Sequence, residues 1–543
     1  VPADLASLRI AAHARRDLFA QHALAHIPKI LTLMDRNAHS PTYGCFDRKF
    51  WHYKIIDFPS GMSQEYVWPL ALAYHADVAG NPYHRQPIIQ QWVHAGIAYA
   101  ARSAHPDASC DDYFPFEKAA GAAAFSLLSC IESYQLMGLD DPDLLRFFER
   151  RADWLADHHE SGRLSNHQAL IVLCLLLAGR LLKIDRWDAL RQKRLDMILQ
   201  WQSPEGWFPE YEGCDPGYQT LTIYCLARVF ELTQDERLRD PLARATRLAA
   251  QFVHPDGSFG GEYTSRNTYN FFPAGFELVG RWLPESLAVN DLILRGLEAG
   301  LGASFTDDQI IGHHTWNYLL AWEHFVSDRP SPPPRAQGRL HLPQARLLID
   351  RRNDTELFLA LNKGGVFKLF REGRLVASDT QVSLQVKRGG KQRTAVANLV
   401  SQYATQIGED RIVIEGSLGW AKQKLMSTFN LLVLRVLMLT VGRFNPDLVR
   451  RMLQKVLIVG KKPAPFTFRR TLTWREGRWT VRDEVTGQDW SQVSAAGIGP
   501  DQTSIYVVMS RTFQPGQMQP WIDLTQQARS LKPGQALTCE RTL

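Results

Sequence analysis

The seven cysteines of this 543-residue chain (Cys45, Cys110, Cys130, Cys174, Cys214, Cys225 and Cys539) are scattered, odd in number and nowhere spaced as CxxC. That spacing indicates neither a zinc module nor a disulfide framework. Histidine is scarce in the C-terminal part: His341 is the one that follows His324, and no HxH occurs there. The apolar run within residues 429–462 has roughly fourteen residues where ~20 are needed to cross a bilayer, so no spanning segment is expected there. No charged-then-apolar leader follows Val1, so a signal peptide is either absent or already removed. Localisation stays open, with a bacterial-type periplasmic or secreted location favoured over the cytoplasm. No recognised nucleic-acid motif accompanies the basic residues, and nucleic acid is not an expected partner.

What is present is a soluble globular composition, 45% hydrophobic and 22% charged, in a chain long enough for two large domains. Charge divides unevenly. From residue 338 onward there are 31 Lys and Arg against 16 Asp and Glu, net +15, which leaves −9 for the first 337 residues. The C-terminal part is therefore expected to meet something anionic: an acidic polysaccharide, a lipid surface through peripheral contact, or its own N-terminal half.

Up to about residue 325 apolar residues recur at three- and four-residue spacing, as in QEYVWPLALAYHADVA, AAGAAAFSLLSCIESYQLMGL and YQTLTIYCLARVFELT. The proline run of DRPSPPPRAQG, residues 328–338, reads as a linker. Beyond it, period-two segments such as RIVIEGSLGW and FTFRRTLTWREGRWTVRDEV predict antiparallel strands. The apolar and basic stretch 429–462 reads as a helical insertion packed on that sheet, in preference to a membrane-surface helix. A weak repeat, PEGWFPEY at 204–211 and PDGSFGGEY at 255–263, has the length of a helical hairpin. Hairpins that each expose an apolar face can close into a toroid whose end loops line a shared cleft. The expected organisation is α+β multidomain: an (α/α) helical toroid over 1–327, the linker 328–338, and an antiparallel β-sandwich over 339–543.

Four places carry candidate chemistry, each at a loop-to-helix junction. Asn166 and His167 open the apolar stretch RLSNHQALIVLCLLLAGRLL. Tyr218 follows Pro216 and Gly217. Arg266, Asn267 and Tyr269 stand after the repeated glycine-rich turn, and His313, His314 and Trp316 open the last helix. Each has an ordinary alternative: Asn166 as a helix cap, His167 as a satisfied polar neighbour, Tyr218 as a half-buried packing residue.

NHQALIVLCLLLAG together with PEGWFPEYEGCDPGYQ resembles the heparinase II/III-like and alginate-lyase group of polysaccharide lyases. The resemblance implies a helical toroid joined to an antiparallel sandwich, Asn166 as the group that neutralises a substrate carboxylate, and Tyr218 as the catalytic tyrosine. Two departures stand out. Members often take a further catalytic histidine, and sometimes a metal-binding set, from the sandwich, where this chain has only His341 and no HxH, so no sandwich metal site and no cofactor is expected; and the turn before the tyrosine reads PEGW.

Such a lyase removes the C5 proton of a uronic acid and expels the oxygen at C4, which requires donors that draw charge from the carboxylate. Asn166, His167 and Arg266 suit that role, with His313 assisting. Tyr218 serves as base, acid or both; a phenol starts near ~10 and needs a nearby cation to give up its proton at neutral pH. Trp51, Trp207, Tyr211, Asn267, Tyr269, His314 and Trp316 are candidate substrate-binding residues, and Tyr53 could also stack on a sugar ring. Three other readings remain: a toroidal glycoside hydrolase using two of Asp111, Asp112, Glu117 and Glu210, a uronyl C5-epimerase, and a non-catalytic polysaccharide-binding protein. The oligomeric state is not legible.

Overall fold

A helix that is apolar all the way round must be covered on every side. In the computed structural model six such helices stand in a ring, and five helices with a single apolar face stand outside it. The structure describes residues 15–160, 162–210, 213–302, 311–379, 381–397, 402–421, 427–445, 448–449, 452, 462–499 and 514–543. In chain order the helices are α1 (Val67–His75), α2 (Pro87–Ser103), α3 (Ala120–Leu136), α4 (Pro142–Asp157), α5 (Ser165–Leu182), α6 (Asp188–Trp201), α7 (Pro216–Thr233), α8 (Arg239–Gln251), α9 (Ala274–Gly280), α10 (Leu287–Glu298) and α11 (Ile311–Glu323). The odd-numbered helices pack each on the next, and α11 returns to α1, closing an α/α toroid.

The two classes differ as their sequences require. Outer α4 buries Leu144, Phe147, Phe148, Arg151 and Leu155, a stripe at helical spacing. Inner α5 buries nearly every residue from Ser165 to Ala178. It is long and apolar enough to cross a membrane, yet 72% of it lies inside the protein, as a core helix does. Because chain direction alternates between the rings, the loops that precede the inner helices all gather at one end of the toroid.

After Arg335 the chain becomes strands: β1 (Gly338–Leu342), β2 (Leu347–Arg352), β3 (Thr355–Ala360), β4 (Phe367–Arg371) and β5 (Arg374–Asp379) form an antiparallel meander. A second antiparallel sheet contains β6 (Gln381–Arg388), β7 (Lys391–Val396), β8 (Ala404–Ile407), β9 (Arg411–Trp420), β10 (Pro463–Arg475), β11 (Arg478–Gly487), β12 (Val493–Gly499), β13 (Ile522–Asp523) and β14 (Ala536–Thr542). Its described order is β13-β12-β6-β7-β9-β10-β11-β14, with β8 beside β9.

The smaller sheet is a middle layer. Ile349, Phe358, Ala360 and Phe370 join the toroid core, whereas Leu348, Leu357, Leu359, Phe367 and Leu369 join the core shared with the larger sheet. Covered on both faces, β3 is buried throughout, so it departs from the one-sided period-two pattern expected of these strands. Between the sheets Arg470 of β10 is fully buried, paired with Asp483 at 2.6 Å and bonded to the Gly365 carbonyl at 2.8 Å.

The insertion between β9 and β10 corrects an expectation. It is helical over α12 (Thr428–Leu437) and continues as a π-turn to Gly442, and its described apolar residues join the toroid and not the sheet core; residues 446–447, 450–451 and 453–461 of the expected insertion lie outside the described residues. Leu434, Met438 and Val449 meet Phe114 of the toroid. Arg435 pairs with Asp57 at 3.0 Å, and Arg443 lies 5.5 Å from the Phe116 ring centre. A helix apolar on two opposite faces finds cover for one of them on the toroid loops.

Candidate active site

At the loop end of the toroid the start of α5 meets a two-residue ribbon, Pro209–Glu210 paired with Gly213–Cys214. Leu164 bridges to Glu210, and the Ser165 hydroxyl donates to the Pro209 carbonyl at 2.7 Å, which fastens the ribbon to the helix. Asn166 sits one residue inside α5 and does not cap it. Its Nδ2 donates to Glu210 Oε2 at 2.5 Å, while its buried Oδ1 has no hydrogen-bond partner among the described residues.

The same carboxylate receives Arg266, whose Nη1 stands 3.5 Å from Glu210 Oε1. The guanidinium also lies 5.5 Å from the ring centre of Tyr218. Tyr218 is placed by the start of α7. Asp215 caps the helix through the Tyr218 N–H at 3.2 Å, and Pro216 supplies a first residue that needs no amide partner. The second oxygen of Asp215 accepts the Arg266 N–H at 3.1 Å and the Thr264 hydroxyl at 3.1 Å, so one aspartate sets both the tyrosine and the arginine loop.

His167 completes the group, with its Nδ1 2.8 Å from Glu160 Oε2. Its ring lies over Gly121: a β-carbon there would meet His167 Cε1 at 2.7 Å, so only glycine leaves room. Burial pushes the Glu210 carboxyl up to about 7, against the charges of His167 and Arg266 and the Asn166 hydrogen bond; Asp215 adds to the rise.

Asn166, His167, Arg266 and Tyr218 are thus brought together around Glu210. The other expected site residues are placed differently. His313 is buried, paired with Glu65 at 2.9 Å and stacked between Phe125 and Phe272 at 4.7 and 5.9 Å. Desolvation pushes the Glu65 carboxyl up, and His313 draws it back down.

His314 and Trp316 are fully buried against the rings of Phe272, Trp68 and Tyr224, which corrects their reading as substrate-binding residues. Trp316 stacks on Trp68 at 4.4 Å, and desolvation holds the His314 imidazole well below its usual range. Asn267 and Tyr269 are also buried, and both meet lysines of the small sheet region. Asn267 accepts from Lys363, and Tyr269 donates to Glu262 and lies 4.3 Å from Lys368. Trp207 is half-buried and donates to Glu205, which caps Gln344 and Ala345 of the small sheet. Trp51 donates its indole N–H to the Leu33 carbonyl at 2.7 Å and keeps part of its ring exposed. Tyr211 lies outside the described residues.

The carboxylates weighed for a hydrolase mostly shape their own loop. Asp111 accepts the N–H groups of Phe116 and Lys118, Glu117 that of Tyr113 at 2.8 Å, and Asp112 the Ser60 hydroxyl at 2.6 Å. Glu210 is the exception, and its role as the hub for Asn166 and Arg266 was not read from the sequence. The repeat held the signal. In both copies a glycine with positive φ, Gly206 or Gly257, closes the turn, and a glutamate follows, Glu210 or Glu262. Glu262 is engaged by Lys368 of the small sheet at 3.4 Å, whereas Glu210 remains with Asn166 and Arg266.

A separate crevice of about 440 Å³ lies between the toroid and the small sheet, lined by Arg244, Arg247, Arg339 and Arg351, away from this cluster. Among the described residues, no three His, Cys, Asp or Glu gather as ligands for a metal ion.

No protein-family model matches the sequence, and no curated protein matches it. Solved structures do. The chondroitin AC lyase of Streptomyces coelicolor A3, solved with chondroitin sulphate, is 11% identical with a TM-score of 0.52, over 98% of this chain and 82% of that one. The cellobiose 2-epimerase of Bacillus thermoamylovorans B4167 is 10% identical with a TM-score of 0.45, over 58% of this chain and 99% of that one. An unsaturated glucuronyl hydrolase of Streptococcus agalactiae is 11% identical with a TM-score of 0.39, over 58% and 92%. At these identities the likeness establishes fold: the chain has an α/α toroid followed by antiparallel sheet, an arrangement it shares along nearly its whole length with a polysaccharide lyase.

Proposed function

We propose that this protein is a polysaccharide lyase of the heparinase II/III-like and alginate-lyase kind, cleaving a uronic-acid-containing acidic polysaccharide by β-elimination. One observation carries the reading: Asn166, Arg266 and Tyr218 meet through Glu210 and Asp215 at the loop end of the toroid. In the proposed reaction the uronate carboxylate takes hydrogen bonds from the Asn166 amide, His167 and Arg266 as it becomes enolate-like. Tyr218, whose ring centre lies 5.5 Å from the Arg266 cation, acts as the phenolate and takes the C5 proton. The C5–H electron pair becomes the C4–C5 double bond, the C4–O bond breaks, and Tyr218 returns the proton to the leaving oxygen. Glu210 holds the amide and the guanidinium in register. The likeness to a chondroitin lyase over 98% of the chain supports the same class of chemistry.

The test is incubation with a panel of acidic polysaccharides while following the ultraviolet absorbance of the new C4–C5 double bond. Tyr218→Phe, which removes one oxygen atom, is expected to slow cleavage by about 10²–10⁴-fold. Near-normal cleavage by that variant overturns the assignment. New reducing ends without absorbance identify a hydrolase, solvent hydrogen exchange at C5 without chain cleavage an epimerase, and binding alone a non-catalytic protein.

A further inference from the structure

Among the described residues, ten of the sixteen large hydrophobic side chains that stand exposed fall between Phe429 and Met452. Their arrangement is regular. Leu434, Leu437 and Met438 point one face of α12 at the toroid. Phe429, Leu432, Val433 and Val436, at spacings of three, four and seven, form a stripe on the opposite face, and they are 72%, 60%, 50% and 60% exposed. Leu439 and Phe444, at 44% and 85%, extend the apolar surface.

An apolar stripe of this size on a soluble surface marks an interaction site, and its chemistry points to one occupant. The helical stretch 428–444 is about 25 Å long, short of the ~30 Å bilayer core, so it lies along a surface and does not span. Its charge is one-sided: residues 422–462 contain nine Lys and Arg and one acidic residue, Asp447. Of the described basic residues, Arg435 is held by Asp57, while Arg443 is exposed beside Phe444 with its guanidinium 5.5 Å from the Phe116 ring centre. Apolar side chains that enter the acyl boundary beside cations that meet headgroups describe an interfacial helix on an anionic lipid surface. A neutral protein groove would match the stripe but not the net positive charge of the segment that carries it.

We infer that α12 docks this protein on an anionic membrane surface, with Phe429, Leu432, Val433 and Val436 entering the lipid. This attachment is independent of what the toroid does, because none of these residues touches the Asn166 and Glu210 cluster.

The experiment is co-sedimentation of the full chain with vesicles of phosphatidylcholine alone and of phosphatidylcholine with phosphatidylglycerol. Pelleting is expected with the phosphatidylglycerol vesicles, and it should fall as salt is raised. The triple variant Phe429→Ser, Leu432→Ser, Val436→Ser is expected to pellet about tenfold less, with unchanged circular dichroism and thermal midpoint, since the replaced side chains are already in water. Equal pelleting of the variant and the parent overturns the proposal, as does failure of the parent to bind the anionic vesicles. A stable dimer that the triple variant dissociates, without vesicle binding, assigns the stripe to a second copy of the chain and also overturns it.

Discussion

Asn166 donates a 2.5 Å hydrogen bond to Glu210 across 44 residues of chain, and the carboxylate that receives it is 4% exposed. This contact joins the first turn of an inner helix to the ribbon before the next one. It also sets the electrostatics of the cluster, because it places a buried acid beside an amide, an imidazole and a guanidinium.

That burial makes stability depend on pH. The unfolded chain releases the Glu210 proton near 4.5, and the folded protein holds it up to about 7. Between those values the folded state binds more protons, so the contribution of this group to stability is complete below pH 4.5 and is lost as pH rises towards 7. The full swing is about 3 kcal/mol. Glu210→Gln removes the titration, and denaturant unfolding at pH 5 and pH 8 should show the variant gaining on the parent as pH rises. A pH-independent difference between the two would refute the assignment.

Lys363 grips the loop that carries Arg266. Its ammonium reaches the Thr264 carbonyl at 2.6 Å, the Glu262 carbonyl at 3.1 Å and Asn267 Oδ1. Lys363→Met leaves these acceptors without their cation, at about 2–3 kcal/mol for the lost charge-assisted bonds. Faster proteolytic cleavage within residues 261–270, together with a lower thermal midpoint, is the expected result. An unchanged cleavage rate would show that the loop is held without the sheets.

Trp316 belongs to the toroid core. It is fully buried and stacked on Trp68, so Trp316→Ala is expected to cost about 3–5 kcal/mol of unfolding free energy. Denaturant titration measures this. A variant that kept its stability and lost only affinity for a polysaccharide would return Trp316 to the binding surface.

The inner helices were legible because an all-round apolar pattern has one solution in water, burial on every side. α5 and α7 fall where the patterns place them, and the polar start of α5 pointed to Asn166 and His167. The aromatic and histidine residues of α11 were not separable by pattern. Trp316 and His314 stand at a helix start as Asn166 does, yet the ring closes over them. Glu210 was visible as an acid in a repeated turn, and nothing local distinguished it from Glu262, which the small sheet captures through Lys368.

The amino-acid sequence by itself determined which segments are helix and strand, and that the C-terminal part is basic, since these follow from spacing and composition along the chain. Only the tertiary structure decided which polar groups converge. Glu210 gains its partners from α5 and from the loop before α9, residues far away in sequence, and its proton affinity comes from the burial they create. The small sheet, likewise, becomes a middle layer because both of its faces find apolar cover, which no single strand encodes.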